Sequence, residues 1–183
     1  MSVFLQPIYT QTVGSGGAAS VTFNNIPQTF TDLKLVASVR FTGTGTNPYF
    51  GYLLINPNGS TTGFSETYLY GNGSSPSSGR FTGNGGWLTP YRSIPNASTT
   101  SNTFSNTEIY LPNYNQSNFK QAIIDGVGEF NSSTGANVLQ ASLWSNSNAI
   151  TSLSIAGYLD NASWGNFAQY STFSLYGVLR AGI

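Results

Sequence analysis

The segment that decides the fold is YSTFSLYGVLR, residues 170–180. One set of alternate positions is mostly apolar and shares one face of an extended chain: Phe173, Leu175, Gly177 and Leu179. The opposite face carries Ser174, Tyr176, Val178 and Arg180. A period of two, with aromatic and β-branched residues, is typical of a half-buried β-strand. We therefore expect this segment to be the closing strand of a β-sandwich built from earlier strands.

The cleanest alternation elsewhere lies in FTDLKLVASVRF, residues 30–41. Its apolar face comprises Leu33, Leu35, Ala37, Val39 and Phe41, whereas the other face holds Lys34, Ser38 and Arg40. Strands with matching apolar faces stabilise each other as neighbours in one sheet. The pattern therefore predicts that residues 30–41 pair with the closing strand.

Further short segments have strand character and are separated by turn residues. They are residues 4–13, 19–23, 49–56, 64–70, 107–111, 119–130, 138–144 and 149–158. Residues 119–130 and 138–144 predict an antiparallel hairpin, and the apolar run 49–56 predicts a strand buried on both faces. With no helical period in the sequence, we expect one all-β domain over residues 1–183. The architecture predicted is an antiparallel β-sandwich that is jelly-roll-like.

Two segments depart from this pattern. Residues 1–13 precede a glycine-rich hinge, so they form either an ordinary edge strand, which we favour, or an N-terminal arm on a neighbouring molecule. Residues 71–106 are rich in Gly, Ser and Asn and predict a long insertion loop, with a short strand near residues 86–89. A loop of this length inside a compact domain is often functional, which makes it a candidate contact surface.

The charge content argues against several classes of protein. Charged residues are only 7% of the chain and the formal net charge is zero, whereas an average domain has about 25% charged residues. The few cations are scattered, so we expect no nucleic-acid binding, which needs a clustered basic surface. No polybasic segment or long apolar run points to a membrane, and we expect no membrane association.

Catalytic chemistry has little support in the sequence. Cysteine and histidine are both absent, which excludes disulfides, thiolate metal sites and a Ser-His-Asp triad. Asp125 and Glu129 share a strand face but lie about 13 Å apart, too far for a glycosidase pair. A pairing of Glu66 with Glu108 across a sheet remains open. We expect no enzyme activity, no catalytic residue, no metal and no cofactor.

Large apolar residues in the two irregular segments and in a late loop are the candidate partner contacts. They are Phe4, Ile8, Trp87, Tyr91 and Trp164. Exposed aromatic residues stack on sugar rings in lectin-like modules. One hypothesis is that Trp87, Tyr91, Tyr114 and Trp164 do the same in this chain. The alternative, which we favour, is that these rings anchor loops or fill a subunit interface.

Four further stretches carry a resemblance to a known group of proteins. They are TVGSGGAASVTFNNIPQTFTDLKLVASVR at 12–40, SNTEIYLPNYNQSNFK at 105–120, LWSNSNAITSLSI at 143–155 and GNFAQYSTFSLYGV at 165–178. In these stretches the chain resembles small virion structural proteins of tailed bacteriophages, including those of cyanobacterial hosts. The motifs are structural, so the resemblance implies no active-site residues.

Within that group, the compact size and the lack of a fibrous repeat make the chain more similar to a capsid decoration, or cement, protein than to a tail fibre. The resemblance implies a homotrimer bound to the major capsid protein on the outer surface of the virion and made in the host cytoplasm. The alternative within the same group is a receptor- or carbohydrate-binding module of a phage tail or fibre.

Overall fold

The computed structural model describes residues 3–45, 51–83, 85–132, 135–159 and 164–180. These residues form two antiparallel β-sheets packed face to face. The strands of the larger sheet are β1 (Val3–Thr12), β3 (Asp32–Val39), β5 (Phe64–Gly71), β6 (Pro76–Thr82), β8 (Ser105–Pro112), β9 (Lys120–Glu129), β10 (Gly135–Trp144) and β13 (Thr172–Arg180). Those of the smaller sheet are β2 (Ser20–Phe23), β4 (Gly51–Pro57), β7 (Trp87–Thr89), β11 (Leu153–Leu159) and β12 (Trp164–Gly165). The predicted all-β, antiparallel β-sandwich is confirmed.

The chain crosses repeatedly between the two sheets of the sandwich. The strand order is β1-β13-β3-β8-β9-β10-β5-β6 in the larger sheet and β12-β11-β4-β7 in the smaller, with β2 also paired to β11. Strands β9 and β10 form the predicted hairpin. The start of the strand predicted at 49–56 lies outside the described residues. Its remainder is β4, whose side chains are buried on both faces as expected.

Strand β13 lies between β1 and β3, so the predicted pairing of the closing strand with residues 30–41 is confirmed. Its apolar positions Phe173 and Leu175 are fully buried between the sheets. The core ends at Gly177, where the ring of Phe30 lies directly against the strand, and Leu179 beyond it is 37% exposed. This strand therefore contributes to the core along most, but not all, of its length.

Strand β1 is the edge of the larger sheet and pairs with β13 through nine residues. A bulge between Pro7 and Tyr9 lets Ile8 pack, half-buried, against the core. Phe4 and Leu5 point to opposite sides of the strand, and both are exposed. In this chain the segment is therefore an edge strand, as favoured from the sequence. Its alternative role as an arm on a neighbouring molecule stays a prediction.

The prediction of a long loop at 71–106 is wrong for part of that stretch. It contains β6 and also β7, the latter at the position where a short strand was expected. The sequence of β6, PSSGRFT, has no apolar alternation from which a strand could be predicted. None is needed, because the strand lies at the sheet edge and buries almost no side chain. Backbone pairing with β5 holds it in place.

The later part of that stretch is a loop fastened to the core by Arg40. The Arg40 guanidinium is buried and donates hydrogen bonds to the carbonyl oxygens of Thr99, Thr100 and Thr103 at 2.9–3.1 Å. Burial lowers the pKa of Arg40 through loss of hydration. Hydrogen bonds to a buried cation restrain the loop, because leaving that charge without partners is costly.

Candidate interaction surfaces

Two of the predicted contact residues belong to the interior. Trp87 is fully buried and packs edge-on against Phe64, with ring centroids 6.0 Å apart. Tyr91 is 7% exposed and stacks on Tyr68 at 3.7 Å. Their selection as exposed contacts was wrong for this chain. Both rings fasten the irregular stretch to the sandwich, which is the alternative favoured from the sequence.

Tyr114 is buried as well. Its hydroxyl donates a hydrogen bond to the carbonyl oxygen of Pro27, and its ring joins the main core. An expectation that it is exposed for sugar stacking is therefore also wrong. Isolated aromatic residues in Asn- and Gly-rich loops act here as loop anchors, because an aromatic ring buries a large apolar area in one step.

The remaining candidates keep an accessible surface. Phe4 is 62% exposed and Trp164 is 66% exposed, whereas Ile8 is half-buried. The Trp164 ring leans edge-on against Tyr158, with centroids 5.9 Å apart. Whether Phe4, Ile8 or Trp164 contacts a partner stays a prediction.

The two carboxylates left open as a hydrolase pair are not brought together. Glu66 is buried and accepts a hydrogen bond from the Leu88 amide at 3.1 Å. Glu108 is on the outer face, where it forms an ion pair with Lys34 at 2.8 Å. Strands β9 and β10 separate the two strands that carry them. The pair therefore lacks the geometry of a glycosidase site.

Within the described ranges, no cluster of three or more Asp, Glu, His or Cys side chains has the arrangement of a metal site. The same part of the chain has no helix of the length and apolar character needed to cross a bilayer.

An extended apolar surface of the described chain is the outer face of the larger sheet, which the smaller sheet does not cover. Large hydrophobic side chains stand exposed along it: Leu5, Leu69, Ile123, Val127 and Leu139. A groove of about 340 Å³ crosses five strands of this face, from Leu5 on β1 to Ile123 on β9. Exposed apolar surface of this extent is typical of an interaction site.

Strand register places three of these side chains, Ile123, Leu139 and Leu69, in two adjacent rows. In the first row, Ile123 lies between Tyr110 and Ala141 on the neighbouring strands. In the second, Leu139 lies between Asp125 and Leu69. Paired residues in an antiparallel sheet project to the same side, so each row is a continuous strip across the sheet. We use the name outer face for the whole side of the larger sheet that points away from the smaller sheet, and this side includes both strips.

Charged groups on the outer face are unevenly placed. The Lys34–Glu108 ion pair lies at its centre, and Asp125 is paired in register beside Glu108. Asp32, at the same side of the sheet, is buried and accepts hydrogen bonds from the Tyr110 hydroxyl and the Asn113 amide. The centre therefore carries more negative than positive charge.

A cation lies at the far edge of the same face. Arg80 on β6 is paired in register with Thr67 on β5 and is exposed. Within the part of the chain that the structure describes, the side chains of Arg80 and Asp125 have no ion-pair or hydrogen-bond partner. Sequence reasoning missed this surface, because the rows combine side chains from strands far apart in the chain. The detectable signal was in β9, where Ile123 and Ile124 place apolar residues on both faces.

Comparisons of the chain with protein-family models, with curated proteins and with solved structures found no match.

Proposed function

We propose that the chain is a viral structural protein, a capsid decoration protein that binds the outer surface of the major capsid protein shell and stabilises it. The observation that supports this most is the presence of two separate exposed apolar surfaces on one densely packed sandwich. A decoration protein needs contacts both to the capsid and to its own copies. Self-association belongs to the same proposal, and the resemblance implies that it gives a homotrimer.

The surface proposed to contact the capsid is the N-terminal end of β1. Phe4 is paired in register with Leu179, and the two side chains are 62% and 37% exposed beyond the end of the core. Strand β1 is also a sheet edge, so its outer backbone groups are available for another strand. Addition of a strand at such an edge is a common mode of protein recognition.

The charge content supports contact through neutral groups. The net charge is zero and only 7% of residues are charged, so binding to a capsid protein would depend weakly on salt. A protein on the outside of a capsid needs no basic surface toward the packaged nucleic acid. Its attachment then relies on apolar contacts and hydrogen bonds.

The test is co-sedimentation of purified chain with capsids that lack it, comparing wild type with Phe4→Asp. We expect the variant to lose binding while its melting temperature changes little, because Phe4 is exposed. Tyr170→Asp is the matched control, since Tyr170 is 67% exposed at the opposite end of β13. Equal binding by Phe4→Asp and wild type would contradict the assignment of this surface.

A receptor- or carbohydrate-binding module of a phage tail or fibre is the second candidate, and Trp164 is the observation that favours it. An exposed indole supported by a second ring is a suitable platform for a sugar. Glycan-array binding by wild type that is lost in Trp164→Ala and retained in Tyr170→Ala would support this function. Absence of glycan binding, together with intact capsid binding, would exclude it.

A further inference from the structure

We propose that the outer face of the larger sheet is the contact between copies of this chain. In this contact, Arg80 of one copy pairs with Asp125 of its neighbour, and the apolar rows between them are covered. The inference goes beyond attachment to a capsid and holds or fails independently of it. It assigns the surface through which the protein forms an oligomer in solution.

The first reason is the contiguity of the apolar side chains. Leu69, Ile123 and Leu139 are 58%, 56% and 54% exposed. Leu69 and Leu139 are direct cross-strand partners, and Ile123 lies one strand away in the adjacent row. Single exposed hydrophobic residues are ordinary on protein surfaces, but a contiguous group on a flat sheet is typical of an interface.

The second reason is area. Eight strands at a spacing of about 4.8 Å give a face about 34 Å wide. Seven residues at a rise of about 3.3 Å each give a length of about 23 Å. The resulting area is close to the roughly 800 Å² per partner of a stable standard-sized interface. The outer face is thus large enough for another folded domain, and a second sheet packs on such a surface at about 10 Å.

The third reason is charge complementarity, which selects the occupant. Asp125 and Arg80 are on one face but three strands apart, which is about 14 Å and too far for a pair within one chain. Each side chain lacks an ion-pair or hydrogen-bond partner among the described residues. A second copy brings both complementary groups with it: its Arg80 compensates the negative centre, and its Asp125 receives the Arg80 of the first copy. Such reciprocal placement fixes the register of an interface.

The experiment measures molar mass by sedimentation in wild type, Arg80→Asp, Asp125→Arg and the double variant carrying both changes. We expect wild type to form a dimer of the 19.5 kDa chain, because a reciprocal contact between identical faces closes at two copies, in place of the homotrimer that the resemblance implies. Each single substitution places like charges opposite each other and raises the dissociation constant at least about tenfold, so the equilibrium shifts toward monomer. The double variant restores opposite charges between copies and should recover the oligomer.

Thr61→Arg is the matched control, because it adds a cation at an exposed loop position away from the outer face. Thermal unfolding of every variant checks folding, which should be maintained because Arg80 and Asp125 are exposed. Recovery of the oligomer in the double variant supports the proposal. A monomeric wild type, or an oligomer that neither single substitution weakens, overturns it. Loss of capsid binding alone, with no change in oligomeric state, overturns it as well.

Discussion

The two tryptophans at positions 87 and 164 belong to similar Gly- and Asn-rich stretches but have opposite roles. Trp87 is fully buried, whereas Trp164 is 66% exposed. Local composition is the same around both, so the sequence offers no means of telling them apart. The difference comes from β7, which pairs with β4 and directs Trp87 into the space between the sheets. The favoured prediction of an aromatic loop anchor therefore holds for Trp87 but not for Trp164.

Replacing Trp87 with Ala should destabilise the fold strongly. The change removes a fully buried ring that packs against Phe64, and a truncation of this kind costs about 3–5 kcal/mol of unfolding free energy. Trp164→Ala is the matched control and should stay within about 0.5 kcal/mol of wild type. Urea unfolding measures both values, and similar costs for the two variants would contradict the positions given to these rings.

Buried tyrosines make stability fall at high pH. Burial raises the pKa of Tyr70, Tyr91 and Tyr114 above the ordinary value of 10.0. Because the folded pKa is the higher one, the unfolded chain ionises first. The stabilisation is fully present below about pH 10 and is lost as the pH rises toward the folded pKa.

The substitution Tyr91→Phe isolates one of these groups. Above about pH 10, the unfolding free energy of the variant should decline less steeply than that of wild type, by up to about 1.4 kcal/mol per pH unit. Burial lowers the pKa of Lys120, so this group makes the unfolding free energy rise with pH instead of fall. Its contribution is the same in wild type and variant and cancels when the two are compared. Urea unfolding across the alkaline range tests this, and identical slopes would show that Tyr91 ionises equally in both states.

Strands β13 and β3 show which elements the sequence specifies well. Both alternate clearly because one face of each lies in the main core, and their pairing was predicted correctly. Strand β6 was missed because its edge position imposes no burial pattern. Register across the outer face was also beyond prediction, since Tyr110, Ile123 and Ala141 belong to three different strands. Periodicity reports which face of a strand is buried, but it does not report which strand lies beside it.

A substitution at Gly177 tests how closely Phe30 packs against β13. A Cβ atom at this position would clash with the ring of Phe30, including the Cγ atom near the base of its side chain. We expect Gly177→Ala to destabilise the protein by about 1–3 kcal/mol, because the ring must move out of a packed site. Gly71→Ala in β5 is the matched control, since a Cβ atom added there would have no other atom within 4 Å. Thermal unfolding of both variants measures the difference, and a neutral Gly177→Ala would contradict the packing of Phe30 on this strand.

At the scale of the whole molecule, the buried core and the exposed apolar side chains lie on different sides of the larger sheet. The interior between the sheets holds the largest buried side chains, including Trp144, Phe41 and Phe173. The outer face and the Phe4 end of β1 remain uncovered in the single chain. The fold class was predictable from alternation. The outer face was not, because its description needs the strand order, which places distant segments side by side.

The most direct test of the central claim is the position and copy number of this chain in the virion proposed to contain it, measured by cryo-electron microscopy. The proposed function predicts density for the sandwich on the outer capsid surface, at a fixed ratio to the major capsid protein. The N-terminal end of β1 should face the shell. Density for the chain only in the tail, with none on the capsid, would contradict the proposed function.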